Sequence, residues 1–339
     1  MFDKLSVEIF GESHSPNIGG TIKGLPVGYQ IDVQELKRFS ARRSSCEFFT
    51  TPRHDSDEFV LNGLDGGVTS NEIEVVIQNK NVKSSDYDKI KVVPRPSHAD
   101  YPCFVKYGKI PSGGGKYSGR MTAPLTVLGG IAKQILKQRG IEVEAKVFSI
   151  GGIENAILAE KENRNSLCKE ILKRLEDAKG KGDSLGGIVE CKVTGLPIGL
   201  GDYLFEGLEG KIAANVFAIP AVKGVEFGRG FELAEMTGSE ANDALRVVDG
   251  KVEIVTNNMG GINGGMTNGN PVEFKAVFHP TPTIGISQDS VNLSTMQNEK
   301  AEAVGRHDVC FVTRAVVVVE AVTALAILDE ILEENVWKN

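Results

Sequence analysis

Metal-binding spacings, covalent-catalysis motifs and membrane spans are missing from this chain, and each gap removes a class of function. Its five cysteines (Cys46, Cys103, Cys168, Cys191, Cys310) are odd in number, scattered and without a CxxC spacing. They read as reduced thiols in a cytoplasmic protein, not as a disulfide framework or a zinc site. HExxH and clustered ligands are absent, so metal hydrolysis drops out, and without a GxSxG elbow so does the common serine hydrolase. The longest apolar stretch, 315–328, contains Glu320 and falls short of the roughly 20 residues that cross a bilayer. No membrane partnership is expected. The opening MFDKLSVEIFGES has no basic segment leading into a long apolar one, so no secretory leader is expected. Asp plus Glu (45) outnumber Lys plus Arg (38), for a net charge of −7, which disfavours nucleic acid as a partner. Any anionic ligand must then be met by locally gathered cations.

What is present suits an ordinary globular protein. The 339 residues are 41% apolar and 24% charged. No low-complexity linker divides them, so one domain spanning 1–339 is expected. Alternation and β-branched enrichment place strands at 6–10, 20–23, 58–62, 72–78, 141–149, 187–194, 251–256 and 271–278. Apolar spacing by three and four places helices at 32–43, 122–139, 165–178, 204–218 and 314–337. Strands and helices come in groups without strict alternation, which points to a layered α+β fold. One echo recurs: IKGLPVG at 22–28 and VTGLPIG at 193–199, each after a strand and before a helix. It is either a recurrent strand-end turn or the trace of an internal pseudo-repeat.

Glycine, 39 residues in all, concentrates in blocks at 112–119, 224–230 and 257–269, where backbone can approach a ligand closely. The first block runs into a helix whose opening turn holds Thr122 and Pro124, so unpaired N–H groups there are candidates for an anion, aided by Lys116, Ser118 and Arg120. It is neither a Walker loop nor a dinucleotide fingerprint. Histidine is scarce, and all five (His14, His54, His98, His279, His307) fall in expected loops or element ends. His14 follows a strand in GESH and His98 follows a Pro-rich turn in PSHAD; both are candidates for proton exchange near neutral pH, with a capping or surface role left open. Arg306-His-Asp308 sets a cation, an imidazole and a carboxylate side by side before the apolar C-terminal helix, as base and orienter or as an ion pair at a helix start. Cations gather near these loops (Arg42, Arg43, Arg95, Lys116, Arg120, Arg306), which suits one strongly anionic small ligand.

The segments FGESHSPNIGGTIKGLPVG, RRSSCEFFTTPR, PSHADYPCFVKYG, SGGGKYSGRMTAP, IPAVKGVEFGRGF, GSEAND, NNMGGINGGMTNGNP, HPTPTI and GRHDVCFVTRAVVVVEA together resemble the chorismate synthase family, over nearly the whole chain. The resemblance implies a β-α-β-α sandwich, a homotetramer and reduced FMN as cofactor. It implies a 1,4-anti elimination of phosphate from 5-enolpyruvylshikimate 3-phosphate, without net redox change, to give chorismate. Residue by residue it implies His14 and His98 in proton control of the leaving phosphate and of the flavin, and Asp308 in removal of the ring proton. It further implies Arg42, Arg120 and Arg306 facing substrate, and Lys116, Tyr117, Ser118, Glu240, Ala241, Gly264, His279, Pro280, Thr281, Pro282, Thr283 and Arg306 contacting flavin. Departures stand at Lys116-Tyr117 for Arg-Ser, at Met121 for an acidic residue, at Phe48 for an arginine that touches a nicotinamide dinucleotide, at Ile110-Pro111 for Arg-Asp, and at Ser45-Cys46 for Pro-Gly. Whether NADPH serves as reductant or an external flavin reductase supplies the reduced cofactor stays open, the modest length favouring the latter. A flavin-dependent oxidoreductase using the same anion-binding pocket is the alternative.

Overall fold

The computed structural model describes residues 2–43, 57–79, 92–154, 168–301 and 308–333. A first sheet holds β1 (Ser6–Phe10), β2 (Asn17–Lys23), β3 (Phe59–Asp65) and β4 (Val68–Gln78) in the order β1-β2-β4-β3, all antiparallel. A second holds β5 (Glu142–Ile150), β6 (Ile153–Glu154), β7 (Gly187–Thr194), β8 (Val222–Phe227) and, after the small hairpins β9 (Leu245–Val248) with β10 (Lys251–Ile254) and β11 (Ile262–Asn263) with β12 (Met266–Thr267), the strand β13 (Val272–Phe278). Its order is β6-β5-β7-β13-β8. A last hairpin, β14 (Gln288–Asn292) with β15 (Gln297–Ala301), follows.

The helices are α1 (Val33–Ala41), α2 (Asp100–Tyr107), α3 (Thr122–Lys137), α4 (Lys169–Gly180), α5 (Leu208–Phe217), the single turn α6 (Gly238–Ala241) and α7 (Val312–Glu333). Asp32, expected inside the first helix, is its N-cap and accepts from Gln34 N and Glu35 N. Gly108, at φ 72°, ends α2. The helix expected at 204–218 is broken by Gly207 into a short 3₁₀ turn, Leu204–Glu206, and α5.

The expected α+β class holds, with the layers ordered differently from the implied β-α-β-α, because both long helices lie between the two sheets. Helix α3 packs on β2 and β4, α7 packs on β5 and β7, and the two helices pack on each other, so the layers run sheet, helix, helix, sheet around one apolar core. Helix α7 is apolar on all sides and almost wholly buried, as a helix between two layers must be.

The GLPxG echo is a structural repeat. With β1, β2, β4 and β3 matched to β5, β7, β13 and β8, with α1 matched to α5 and α3 to α7, both halves have one topology. The turns agree bond for bond. Gly28 N donates to Thr69 O and Gly199 N to Thr267 O. Thr69 Oγ1 donates to Pro26 O at 2.7 Å and accepts from Tyr29 N at 3.1 Å, while Thr267 Oγ1 donates to Pro197 O at 2.5 Å and accepts from Leu200 N at 2.9 Å. The bolder reading of the echo is therefore the correct one.

The matched halves also match their connections. Segment 79–121 joins β4 to α3, segment 279–311 joins β13 to α7, and the two meet: Ser290 Oγ donates to Pro94 O at 2.5 Å and Leu293 N to Val92 O at 2.8 Å.

Candidate active site

His14 and His98 converge on one turn. Within Ser112–Tyr117 the three glycines all take left-handed φ, 59° at Gly113, 86° at Gly114 and 53° at Gly115, which side-chain-bearing residues resist. A Cβ on Gly113 would lie 2.0 Å from His14 Cε1, and one on Gly114 would lie 3.6 Å from His98 Cε1 and Nε2. At Gly113 the missing side chain is what lets His14 close on the backbone, while the His98 ring stands at ordinary contact distance from Gly114. Ser13 N donates to Gly115 O at 3.2 Å and fastens the loop after β1 to the turn.

The two rings are held differently. His14 Nδ1 lies 3.3 Å from Ser112 O and 3.1 Å from Ser13 Oγ. A carbonyl only accepts, so the proton on that side belongs to Nδ1. His98 Nδ1 lies 2.6 Å from Asp100 Oδ1. Asp100 is fully buried at the start of α2 and also accepts from Arg95 N, Nε and Nη2 at 3.1, 2.7 and 2.9 Å. Burial pushes the Asp100 carboxyl up, but hydrogen bonds from Arg95 and His98 and their charges outweigh it and hold the group well below the usual carboxylate range. Arg95 Nη1 donates to Thr283 Oγ1 at 3.0 Å, so the 279–283 segment is drawn to His98.

A lattice of guanidinium groups adjoins the turn. Buried Arg120 pairs with Asp57, its Nε donates to Asn79 Oδ1 at 3.1 Å, and its backbone N–H is capped by Ser118 Oγ at 3.2 Å. Asp57 also takes Arg43 Nη2 at 2.6 Å; burial raises that carboxyl, and Arg43 and Arg120 together bring it below its ordinary value. Arg314 donates to Arg43 O at 3.2 Å and pairs with Asp308 at 3.1 Å, while the Phe311 ring closes on Gly119. Asp308 thus hangs on the same lattice as Arg120.

Other expected positions are spread out. Ser118 is half-buried beside Gly114, whereas Lys116 and Tyr117 are exposed on the rim. The Tyr117 hydroxyl donates to Tyr107 at 3.5 Å, and with it the Tyr117 phenol is pushed up to about 12. Thr281 O accepts from Ser184 Oγ at 2.7 Å, Pro282 bridges to Thr283, and His279 Nδ1 sits 2.5 Å from Pro280 O. Glu240 and Ala241 lie on α6, where Glu240 closes a capping box with Thr237 and both carbonyls accept from Asn258; Gly264 lies in the β11 to β12 turn. Among the described residues, no hydrogen bond joins α6 or that turn to the histidines. Arg42 is bidentate on buried Glu320, at 2.9 and 2.6 Å, next to Lys133 on the same carboxylate. Arg306, Phe48, Ser45 and Cys46 lie outside the described residues. The first turn of α3 does not serve as an anion cradle: Thr122 and Ala123 are buried in the core, and Thr122 Oγ1 donates to Gly119 O at 2.6 Å.

Asp100 and Asp57 were not singled out from sequence. For Asp100 a local signal exists, since Arg95 and Asp100 bracket His98 with opposite charges within six residues. For Asp57 none exists, because its partner Arg120 is far along the chain.

Comparison with known proteins identifies the family. The family model described as "Chorismate synthase" matches residues 5–332. The chain is 42% identical to the chorismate synthase of Thermococcus kodakarensis, covering 98% of each chain. It is 41% identical to that of Lancefieldella parvula, covering 99% of this chain and 97% of the relative. A solved structure titled "Crystal Structure of Chorismate Synthase" superposes with a TM-score of 0.75 at 25% identity, over 98% of this chain and 93% of that one.

Proposed function

The chain belongs to the chorismate synthase family, carbon–oxygen lyases of the shikimate pathway of aromatic amino acid biosynthesis, and from that premise we propose how its residues carry the reaction. The substrate is 5-enolpyruvylshikimate 3-phosphate, the product chorismate, and the step a 1,4-anti elimination of phosphate that depends on reduced FMN. The observation that supports the residue roles is the convergence of His14 and His98 on the 113–115 turn.

The donor set suits a flavin phosphate and ring. Ser118 and Thr283 spend only an acceptor lone pair on Arg120 N and Arg95 Nη1, so each hydroxyl proton is left to donate, and Lys116 adds an exposed cation. Lys116, Tyr117, Ser118, Glu240, Ala241, Gly264, the 279–283 segment and Arg306 would hold it, the α6 and Gly264 positions from a greater distance. When bound, reduced FMN supplies electron density to the substrate ring as phosphate leaves. His14, through Nε2, holds the proton that neutralises the departing phosphate oxygen. His98 governs protonation on the flavin side. Asp308, oriented by Arg314, accepts the ring proton. Arg120 and Arg306 offset the charge of two carboxylates and a phosphate in a water-poor site; Arg42 joins them by exchanging Glu320 for substrate.

The single-domain reading of 1–339, a cytoplasmic location, no nucleic-acid partner and a homotetramer complete the proposal. Support for association comes from the β9–β10 hairpin, which bares Leu245, Val247 and Val252 on one face. No helix among the described residues is long and apolar enough to cross a membrane. Anaerobic incubation with the phosphorylated substrate and reduced FMN tests the reaction: one phosphate released per chorismate formed is expected, and flavin oxidation without phosphate release would favour the oxidoreductase. Aerobic turnover on NADPH and FMN with no added reductase would remove the external reductase.

A further inference from the structure

His98 Nδ1 has two competing neighbours, and they demand opposite tautomers. Arg95 Nη2, at 3.0 Å, donates only and would call for a bare Nδ1. Asp100 Oδ1, at 2.6 Å, is the nearer. A charged carboxylate only accepts, and a separation that short without a proton between would set lone pairs against each other. Arg95 has its own claims satisfied on Asp100 and Thr283.

We propose that Asp100, counter-charged by Arg95, is a positioning residue that fixes His98 as the Nδ1–H tautomer and leaves Nε2, on the Gly114 side, as the nitrogen that exchanges protons. The inference rests on the reading of His98 as a proton-transfer group. Arg95 and Asp100 together are neutral, so the carboxylate orients the ring without leaving a net charge beside it. Gly114 of the glycine turn lies against the ring, with Ser118 on the other side of that glycine; the Thr283 hydroxyl from the second half is bonded to Arg95, and the titratable His14 and Glu12 lie against Gly113 and Gly115.

The test is nitrogen NMR of the full chain, free of ligand, with ¹⁵N-labelled histidine and the His98 signals assigned by their loss in His98→Gln. Above its titration, His98 is expected to show a protonated Nδ1 and a bare Nε2; the reverse pattern, which Arg95 alone would impose, overturns the proposal. Two substitutions then move the His98 midpoint in opposite directions. Asp100→Asn leaves an uncompensated guanidinium and lowers it, and Arg95→Gln leaves an uncompensated carboxylate and raises it, each by about one to three pH units. Shifts of the same sign, or none, overturn the proposal. The wild-type tautomer needs only the His98→Gln assignment, so an Asp100→Asn or Arg95→Gln chain that does not fold leaves the test standing. If His98→Ala keeps full turnover while the wild-type ring is Nδ1–H, the catalytic reading falls and the hold by Asp100 does not.

Discussion

The two halves of this protein share sheet order, helix placement and even the hydrogen bonds of one threonine, yet only the first half supplies both histidines. The difference lies in the matched connections. Segment 79–121 of the first half carries His98, Asp100 and the glycine turn, whereas segment 279–311 of the second folds mainly as the β14–β15 hairpin and lends Thr283, Asp308 and Phe311. The repeated topology is a scaffold, and the candidate site lies where its two equivalent connections meet. The halves are also stitched unequally. Two buried carboxylates of α7 are met from the first half, Glu320 by Arg42 and Lys133 and Asp329 by the backbone N–H groups of Asp3, Lys4 and Leu5, whereas Glu330 pairs with Lys211 of the second half and Glu320 also accepts from Ala145 N.

The largest effect expected concerns the histidines. His14→Ala and His98→Ala should each slow turnover by about 10²- to 10⁴-fold, the range of lost general acid–base catalysis, without displacing thermal unfolding much, since both rings are partly exposed. Chorismate formation under anaerobic conditions measures this. Full rate in both variants would place the chemistry outside the first-half connections and break the comparison.

Next comes the charge lattice of the first half. Asp57→Asn strands two buried guanidinium groups and should destabilise by about 3–5 kcal/mol at neutral pH. Its carboxyl is depressed in the folded state, so its contribution is complete above the unfolded value of about 3.9 and fades as pH falls through the lower folded value. Urea denaturation at pH 7 and pH 3 should therefore show a larger penalty at pH 7. An equal penalty at both would mean that Asp57 acts through shape and not charge.

What could be read from sequence follows the range of the interaction. Helices α1, α3 and α7 were legible because three-and-four apolar spacing is local, and His14 and His98 stood out by scarcity. Helix α2 was not, since Pro102 and the flanking Pro and Gly of that segment read as loop. Strand β8 was hidden by Gly224 in its middle. The hairpin β14–β15 is polar, with no buried face to impose alternation. Glu320 showed from sequence only as a charge inside the apolar run 315–328; its partner Arg42 lies 278 residues away, a distance over which no periodicity carries information.

Smaller effects sharpen the symmetry itself. Thr69→Val and Thr267→Val each remove one hydroxyl that donates to a carbonyl and accepts an N–H at the strand-end turn, a loss of about 1–3 kcal/mol. Because the two turns have the same bonds, the two penalties should agree, and a clear inequality by chemical denaturation would show that the repeat is one of topology and not of energetics. Gly28→Ala and Gly199→Ala probe the same turns more gently. Their φ values are 100° and 87°, and nothing lies within 4 Å of an added Cβ at either. With no clash to relieve, the whole cost is the backbone conformation, about 1–2 kcal/mol at each. A substitution tolerated at one glycine and damaging at the other would locate, in one residue, where the two halves have stopped being copies.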